Sequence, residues 1–234
     1  MITTVIFDLD DTLYDEIDYC KSGFRAVAEF LTSSLVLERS EGIEHRASSI
    51  EDALWKQFTA GNHTKTFNAV LEEFGIAYDD KLIDKLIETY RNHVPQITLP
   101  DDSKKVLKQL SEKYTLALLT DGFLPAQRFK VQALDIEKYF KCIIYTEQLG
   151  RNCWKPSPAG FEKLMQDLNA KPAGCAYVAD NEEKDFIAPN KLGFSTIQLI
   201  RPARIHTTIS AESSAAAQYT IHKIIDLPAL LEKL

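Results

Sequence analysis

The sequence predicts an α/β protein: a three-layer α/β/α core built on a parallel sheet, with a helical domain inserted near its start. Three observations predict it. Thr3 to Asp8 is a short, β-branched and nearly all-apolar run, the pattern of a strand buried on both faces. From Pro100 onward, short apolar runs alternate with stretches of helical period, as right-handed βαβ units do. Between these two parts, apolar residues recur only at helical spacing, so that segment supplies helices and no strand.

The elements follow in order. Phe24, Val27, Ala28, Leu31 and Leu35 mark a first helix, Ile50, Ala53 and Leu54 a second, Phe67, Val70, Leu71 and Phe74 a third, and Leu82, Leu86 and Tyr90 a fourth. After the turn His93-Val94-Pro95-Gln96 come a helix from Asp101 to Glu112, a strand from Thr115 to Leu119, a helix from Pro125 to Leu134 and a strand from Cys142 to Tyr145. A helix from Pro158 to Leu168, a strand from Cys175 to Ala179, a helix from Lys184 to Leu192 and a strand from Thr196 to Ile200 continue the alternation. Tyr219 to Ile221 and a last helix end it. The expected organisation is a discontinuous core, residues 1–14 and 96–234, around a helical cap of residues 15–95.

Composition limits the function. The 234 residues are 45% hydrophobic and 26% charged, enough to bury a substantial core. A net charge of -7 argues against nucleic acid or an anionic membrane as partner, since either requires a basic face. Cys20, Cys142, Cys153 and Cys175 form no C-x-x-C pair, so neither a zinc site nor a disulfide framework is expected. No apolar run reaches the ~20 residues that span a bilayer, and the chain opens on a strand rather than a signal sequence. A reduced, cytoplasmic setting is the expectation.

In an open parallel sheet, ligands sit beyond the carboxyl ends of the strands. Those ends read Asp8-Leu9-Asp10, Thr120-Asp121-Gly122, Trp154-Lys155-Pro156 after the third core strand, and Asp180-Asn181-Glu182-Glu183-Lys184-Asp185. Asp8, Asp10, Asp180 and Asp185 gathered in one cleft would repel one another, so a cation is required. Mg²⁺ suits them, because it takes a few carboxylates, keeps several waters and shares its remaining positions with phosphate. Lys155 supplies a second positive charge, and Thr120 with nearby backbone N–H groups offers donors to phosphoryl oxygens. Of the other acids near the first strand, Asp11 is expected to cap the turn, while Asp15 and Glu16 are placed to stabilise the first helix through its dipole.

These four motifs, Asp8-Leu9-Asp10-Asp11-Thr12, Thr120, Lys155 in Trp-Lys-Pro-Ser-Pro, and Asp180 to Asp185, resemble in content and order those of the haloacid dehalogenase-like hydrolase superfamily. The resemblance implies a Rossmann-like sheet with the first strand central and a mobile helical cap between the first two motifs. It implies that Asp8 attacks phosphorus to give an aspartyl-phosphate, that Asp10 is the general acid and then the base, and that Thr120, Gly122 and Lys155 receive the phosphoryl group, with Asp121 beside them either contacting substrate or capping the turn. Mg²⁺ would be held by the Asp8 and Asp180 side chains and the Asp10 backbone carbonyl, with Asp185 supporting through water or by orienting Lys155. One departure stands out, since the fourth motif usually opens Gly-Asp and here reads Ala179-Asp180.

A phosphatase acting on a small phosphorylated metabolite, such as a sugar phosphate or nucleoside monophosphate, is the leading expectation. A phosphomutase shares every motif and is the alternative. A non-catalytic regulatory relative is disfavoured by the complete set of reactive residues, and a dehalogenase by the presence of Asp10. Tyr14 and Trp154 are read as packing near the site, Arg201 as a salt-bridge partner, and His45, His63, His93, His206 and His222 as surface or turn residues.

Overall fold

The computed structural model describes residues 1–34, 43–210 and 212–234; Leu35, and the side chain of His45, lie outside the described residues. The chain forms two compact units, Met1–Ile17 with Thr98–Leu234, and Asp18–Ile97.

Among the described residues, the first unit is built on a six-stranded sheet in which every pairing is parallel. Its strands are β1 (Thr4–Phe7), β2 (Thr115–Thr120), β3 (Cys142–Tyr145), β4 (Cys175–Ala179), β5 (Ser195–Leu199) and β6 (Tyr219–Ile221), in the spatial order β3-β2-β1-β4-β5-β6. β1 is central, with Phe7 opposite Leu118 on one side and Val178 on the other. All four of its residues are buried, which is why its sequence is apolar without alternation.

Helices fill the connections. The chain begins α1 (Glu16–Ser34), then α2 (Ile43–Thr59), α3 (Thr66–Glu73) and α4 (Asp80–Asn92) before returning to α5 (Asp101–Ser111). The core continues with α6 (Ala126–Ala133), α7 (Ala159–Leu168), α8 (Ile187–Leu192) and α9 (Leu227–Leu231). On one face of the sheet Ile6, Leu119, Tyr177 and Ala179 pack with Phe161, Phe186 and Phe194.

One boundary differs from the sequence expectation. The helix read from Lys184 begins only at Ile187, because residues 182–186 form turns. Asn181 competes with helix formation: its side-chain oxygen accepts from the Glu183 N–H at 2.9 Å, and its own N–H donates to Asp185 Oδ2 at 3.0 Å, local bonding that favours turns over helix interiors.

In the second unit, α4 starts at an N-cap, Asp79, whose carboxylate accepts the Leu82 N–H at 2.9 Å. The Tyr90 ring packs within 5.6 Å of both Tyr19 and Phe24, centroid to centroid, and lies so close to Gly23 that a Cβ there would fall 2.5 Å from it. His93 is half-buried, its Nδ1 at 2.7 Å from the Tyr90 carbonyl and its Nε2 at 3.0 Å from Ser22 Oγ.

Candidate active site

β1, β2 and β4 are neighbours in register, so their carboxyl ends deliver Asp8, Thr120 and Asp180 to one place. The Asp8 N–H continues the ladder, donating to the Val178 carbonyl at 2.9 Å. Asp8, Asp180 and Asp185 each present an oxygen within 4.8 Å of the others, and all three are buried. Lys155 Nζ reaches the same cluster, 2.8 Å from Asp8 Oδ1 and 2.7 Å from Asp185 Oδ1, with the Tyr177 hydroxyl at 3.1 Å.

Three carboxyl groups thus face one buried ammonium, and their protonation reflects it. Burial is the first cause that pushes the Asp8 carboxyl up to about 7; Lys155 opposes the shift and Asp185 adds to it. Asp180 is pushed up to about 9, by burial and then by the charges of Asp185 and Asp8. Burial works against the charge of Lys155, but Asp185 and Asp8 outweigh it and hold the ammonium well above its ordinary range. Asp180 Oδ2 is buried with no hydrogen-bond partner among the described residues. An orphaned oxygen in a cluster that cannot be fully ionised alone is what a hard divalent cation resolves, so the residues present fit such an ion.

Lys155 also matters for the fold. Lys155→Met is expected to destabilise the protein by about 3–5 kcal/mol, because it strands buried carboxylates without their counter-charge. Urea unfolding at neutral pH measures this, and a change below about 1 kcal/mol would assign the pair no more weight than a surface salt bridge.

Asp10 is turned away from that cluster. Its Oδ1 accepts from the Tyr14 hydroxyl at 2.5 Å and from Lys130 Nζ at 2.8 Å, and its Oδ2 from Gln127 Nε2 at 2.9 Å. Burial raises its proton affinity, yet Lys130 and the three hydrogen bonds win, holding the carboxyl below its ordinary value. Lys130 is shared with Glu16 at 3.6 Å, a carboxyl pushed up to about 7 by burial and then by Asp10.

The other sequence-predicted residues take defined places. Thr120 ends β2, its hydroxyl accepting from Gln127 Nε2 at 2.7 Å. Asp121 braces the loop that carries Lys155, accepting from Thr146 Oγ1 at 2.7 Å and from the Lys155 N–H at 3.1 Å. Asp11 accepts the backbone N–H of Glu16 at 2.8 Å and of Ile205 at 2.7 Å, capping its turn. Arg201 donates to the carbonyls of Thr12 and Leu13 and to Ser103 Oγ, and pairs with Asp15 at 3.3 Å. A cleft of about 260 Å³ has Asp8, Asp10, Asp180, Gly122, Trp154 and His206 among its walls, while Thr120 and Lys155 are themselves buried. His206 is therefore a wall residue as well as a surface one.

Tyr14, Gln127, Lys130 and Tyr177 are what sequence reasoning missed. Tyr14 does more than pack, since its hydroxyl holds Asp10. Gln127 and Lys130 are polar residues on the buried face of α6, beside Ala126 and Val131. Which face of α6 is buried is not written in its sequence, so nothing there set these two apart from solvated residues.

Curated proteins that resemble the chain along most of its length include two phosphatases. N-acylneuraminate-9-phosphatase of Mus musculus is 27% identical over 243 residues, covering 100% of this chain and 95% of that protein. Glyceraldehyde 3-phosphate phosphatase of Methanopyrus kandleri is 28% identical over 204 residues, covering 86% and 85%. Among solved structures, 2-haloacid dehalogenase from Pseudomonas syringae pv. Tomato matches with a TM-score of 0.66 at 23% identity, covering 100% of this chain and 99% of that one. A HAD phosphatase from Thermococcus onnurineus matches with a TM-score of 0.61 at 19% identity, covering 98% of each. A dehalogenase and a phosphatase on one fold leave the chemistry to be argued from the site. The sequence pattern that defines the haloacid dehalogenase-like hydrolases matches residues 5–199, from β1 to the end of β5, and the chain belongs to that family.

Proposed function

We propose that the protein is a Mg²⁺-dependent phosphatase that hydrolyses a small phosphomonoester metabolite through an aspartyl-phosphate on Asp8. The observation that carries the reading is the division of labour between two carboxylates two positions apart. Asp8 lies beside Lys155 and the acids that fit a cation, whereas Asp10 is held apart by three donors of its own. Separate environments for two carboxyl groups are how one site runs nucleophilic and acid–base chemistry together.

Mg²⁺, held by Asp8, Asp180 and the Asp10 backbone carbonyl, would neutralise charge on the phosphoryl oxygens. Asp8 attacks phosphorus and the ester oxygen leaves. Asp10 protonates that oxygen, and the dianionic phosphoryl group beside it raises its proton affinity for this step. Once the alcohol has left, Asp10 is again an anion and takes the proton of the water that attacks the aspartyl-phosphate. Lys155 stays charged throughout, stabilised by Asp185, and donates to Asp8 and to the incoming oxygens. The relatives named above carry the names of phosphatases for small phosphorylated compounds, which supports a substrate of that size.

The test is phosphate release in Mg²⁺ from a panel that includes N-acylneuraminate 9-phosphate, glyceraldehyde 3-phosphate, sugar phosphates and nucleoside monophosphates, with chloride release from 2-haloacids measured alongside. Phosphate from at least one ester and no halide is the expected result; halide without phosphate would reverse it. In the same assay Asp10→Asn is expected to lose roughly 10²–10⁴-fold in kcat while still accumulating phosphorylated protein, which acid quenching and mass measurement detect.

A further inference from the structure

One amide nitrogen joins the two halves of the site. Gln127 Nε2 is 2.9 Å from Asp10 Oδ2 and 2.7 Å from Thr120 Oγ1. An ionised carboxylate only accepts, so the face of the Gln127 amide toward Asp10 is the NH₂ group, and its second N–H points at Thr120. A hydroxyl that accepts there must aim its own hydrogen elsewhere. Among the described residues the hydrogen has only the Asp121 carbonyl at 3.3 Å, a long bond that a phosphoryl oxygen would readily replace.

The backbone makes room for this arrangement. Gly122 has φ +136°, and a Cβ there would lie 2.7 Å from Gln127 Cδ and 2.8 Å from its Cγ. The Gln127 side chain therefore passes directly over Gly122 on its way to Thr120. It is itself 2% exposed, so its two N–H groups have no water to turn to.

We propose that Gln127 is a positioning residue that sets the Thr120 hydroxyl as a donor toward the phosphoryl group and at the same time fixes the Asp10 carboxylate. The inference rests on the phosphatase reading for its kinetic consequence, but its binding consequence stands separately. A merely structural Gln127 would contribute packing and leave phosphate affinity alone.

Gln127→Glu keeps the shape and replaces the donor by an acceptor, so the Thr120 hydroxyl would turn to donate into it. Gln127→Met keeps the bulk and offers neither. Both are expected to weaken inorganic phosphate, measured calorimetrically in Mg²⁺, by roughly tenfold or more, the scale of a lost hydrogen bond to a charged group. Both are expected to lower kcat roughly 10–100-fold, below the loss from deleting an oxyanion donor outright, and by more than any change in KM. Gln127→Glu should be the worse of the two. Because Gln127 acts through Thr120, adding Gln127→Met to Thr120→Val should cost phosphate binding less than twofold further. Full additivity in that cycle, phosphate binding within twofold of the parent in both single variants, or no phosphate binding by the parent protein would each overturn the inference. Should either single variant fail to fold, the other decides it, alone and combined with Thr120→Val in the same cycle. A parent protein that hydrolyses no ester would overturn the phosphatase reading alone, and phosphate affinity would still decide the role of Gln127.

Discussion

Asp8→Asn is expected to abolish turnover, with kcat reduced by roughly 10⁴–10⁶-fold, the range seen when a covalent nucleophile is removed. No phosphorylated protein should form on acid quenching, in contrast to Asp10→Asn. The fold should survive, because Lys155 keeps Asp185 at 2.7 Å and the variant removes a carboxyl whose burial opposes its ionisation. Circular dichroism and the thermal midpoint check that point. Near-native phosphate release by a correctly folded Asp8→Asn protein would place the nucleophile elsewhere.

Chelation is expected to have an effect of similar size on activity, with phosphate release falling to background in EDTA and returning with Mg²⁺. Stability supplies an independent readout. Asp8 and Asp180 have folded values of about 7 and about 9, both raised above the unfolded value near 4. The folded state therefore binds more protons than the unfolded state between those limits, and metal-free stability must fall as pH rises from about 5 to 8. Asp10 is shifted the other way, so its contribution is lost only as pH falls below about 4, outside this window. Mg²⁺ at 100 times its Kd should add roughly 2.7 kcal/mol, and more of the gain should appear at pH 8 than at pH 5, where protons compete for the same oxygens. Thermal melts across that range, with and without Mg²⁺, measure it. A metal-free stability that rises from pH 5 to 8, or a midpoint indifferent to Mg²⁺, would remove the cation from this cluster.

The strands were legible because the sheet demands them. A four-residue run such as Thr4–Phe7 with every residue buried has no solvent face to encode, and it therefore stands out as unbroken apolar sequence. The acids at the strand ends were legible for a related reason: Asp8 and Asp180 follow the last strand residues, where the chain leaves the apolar core. The start of α8 was not, since the Asn181 turn that delays it depends on where Asp185 accepts a bond. The partners of Asp10 were hidden more deeply. Gln127 and Lys130 lie 117 and 120 residues from it, and on a short helix two polar residues three apart read as a solvated face until burial is known. Tyr177 was concealed by its strand, where a tyrosine in an apolar run reads as core and its hydroxyl emerges only with Lys155 in place.

The central place of β1 has a consequence for how the protein is made. Its residues are made before both of their partners, Thr115–Leu118 and Cys175–Val178. At about 5–20 residues per second, roughly 10–35 s pass between synthesis of the first strand and arrival of its second neighbour. Until β2 is made both edges of this apolar strand are unpaired, and one edge stays so until β4 arrives, while α2, α3 and α4 are already complete and can close on local contacts. Nascent chains halted before β2 should accordingly expose Thr4–Phe7 most to chaperones and proteases, chains halted between β2 and β4 less, and chains released after β4 least.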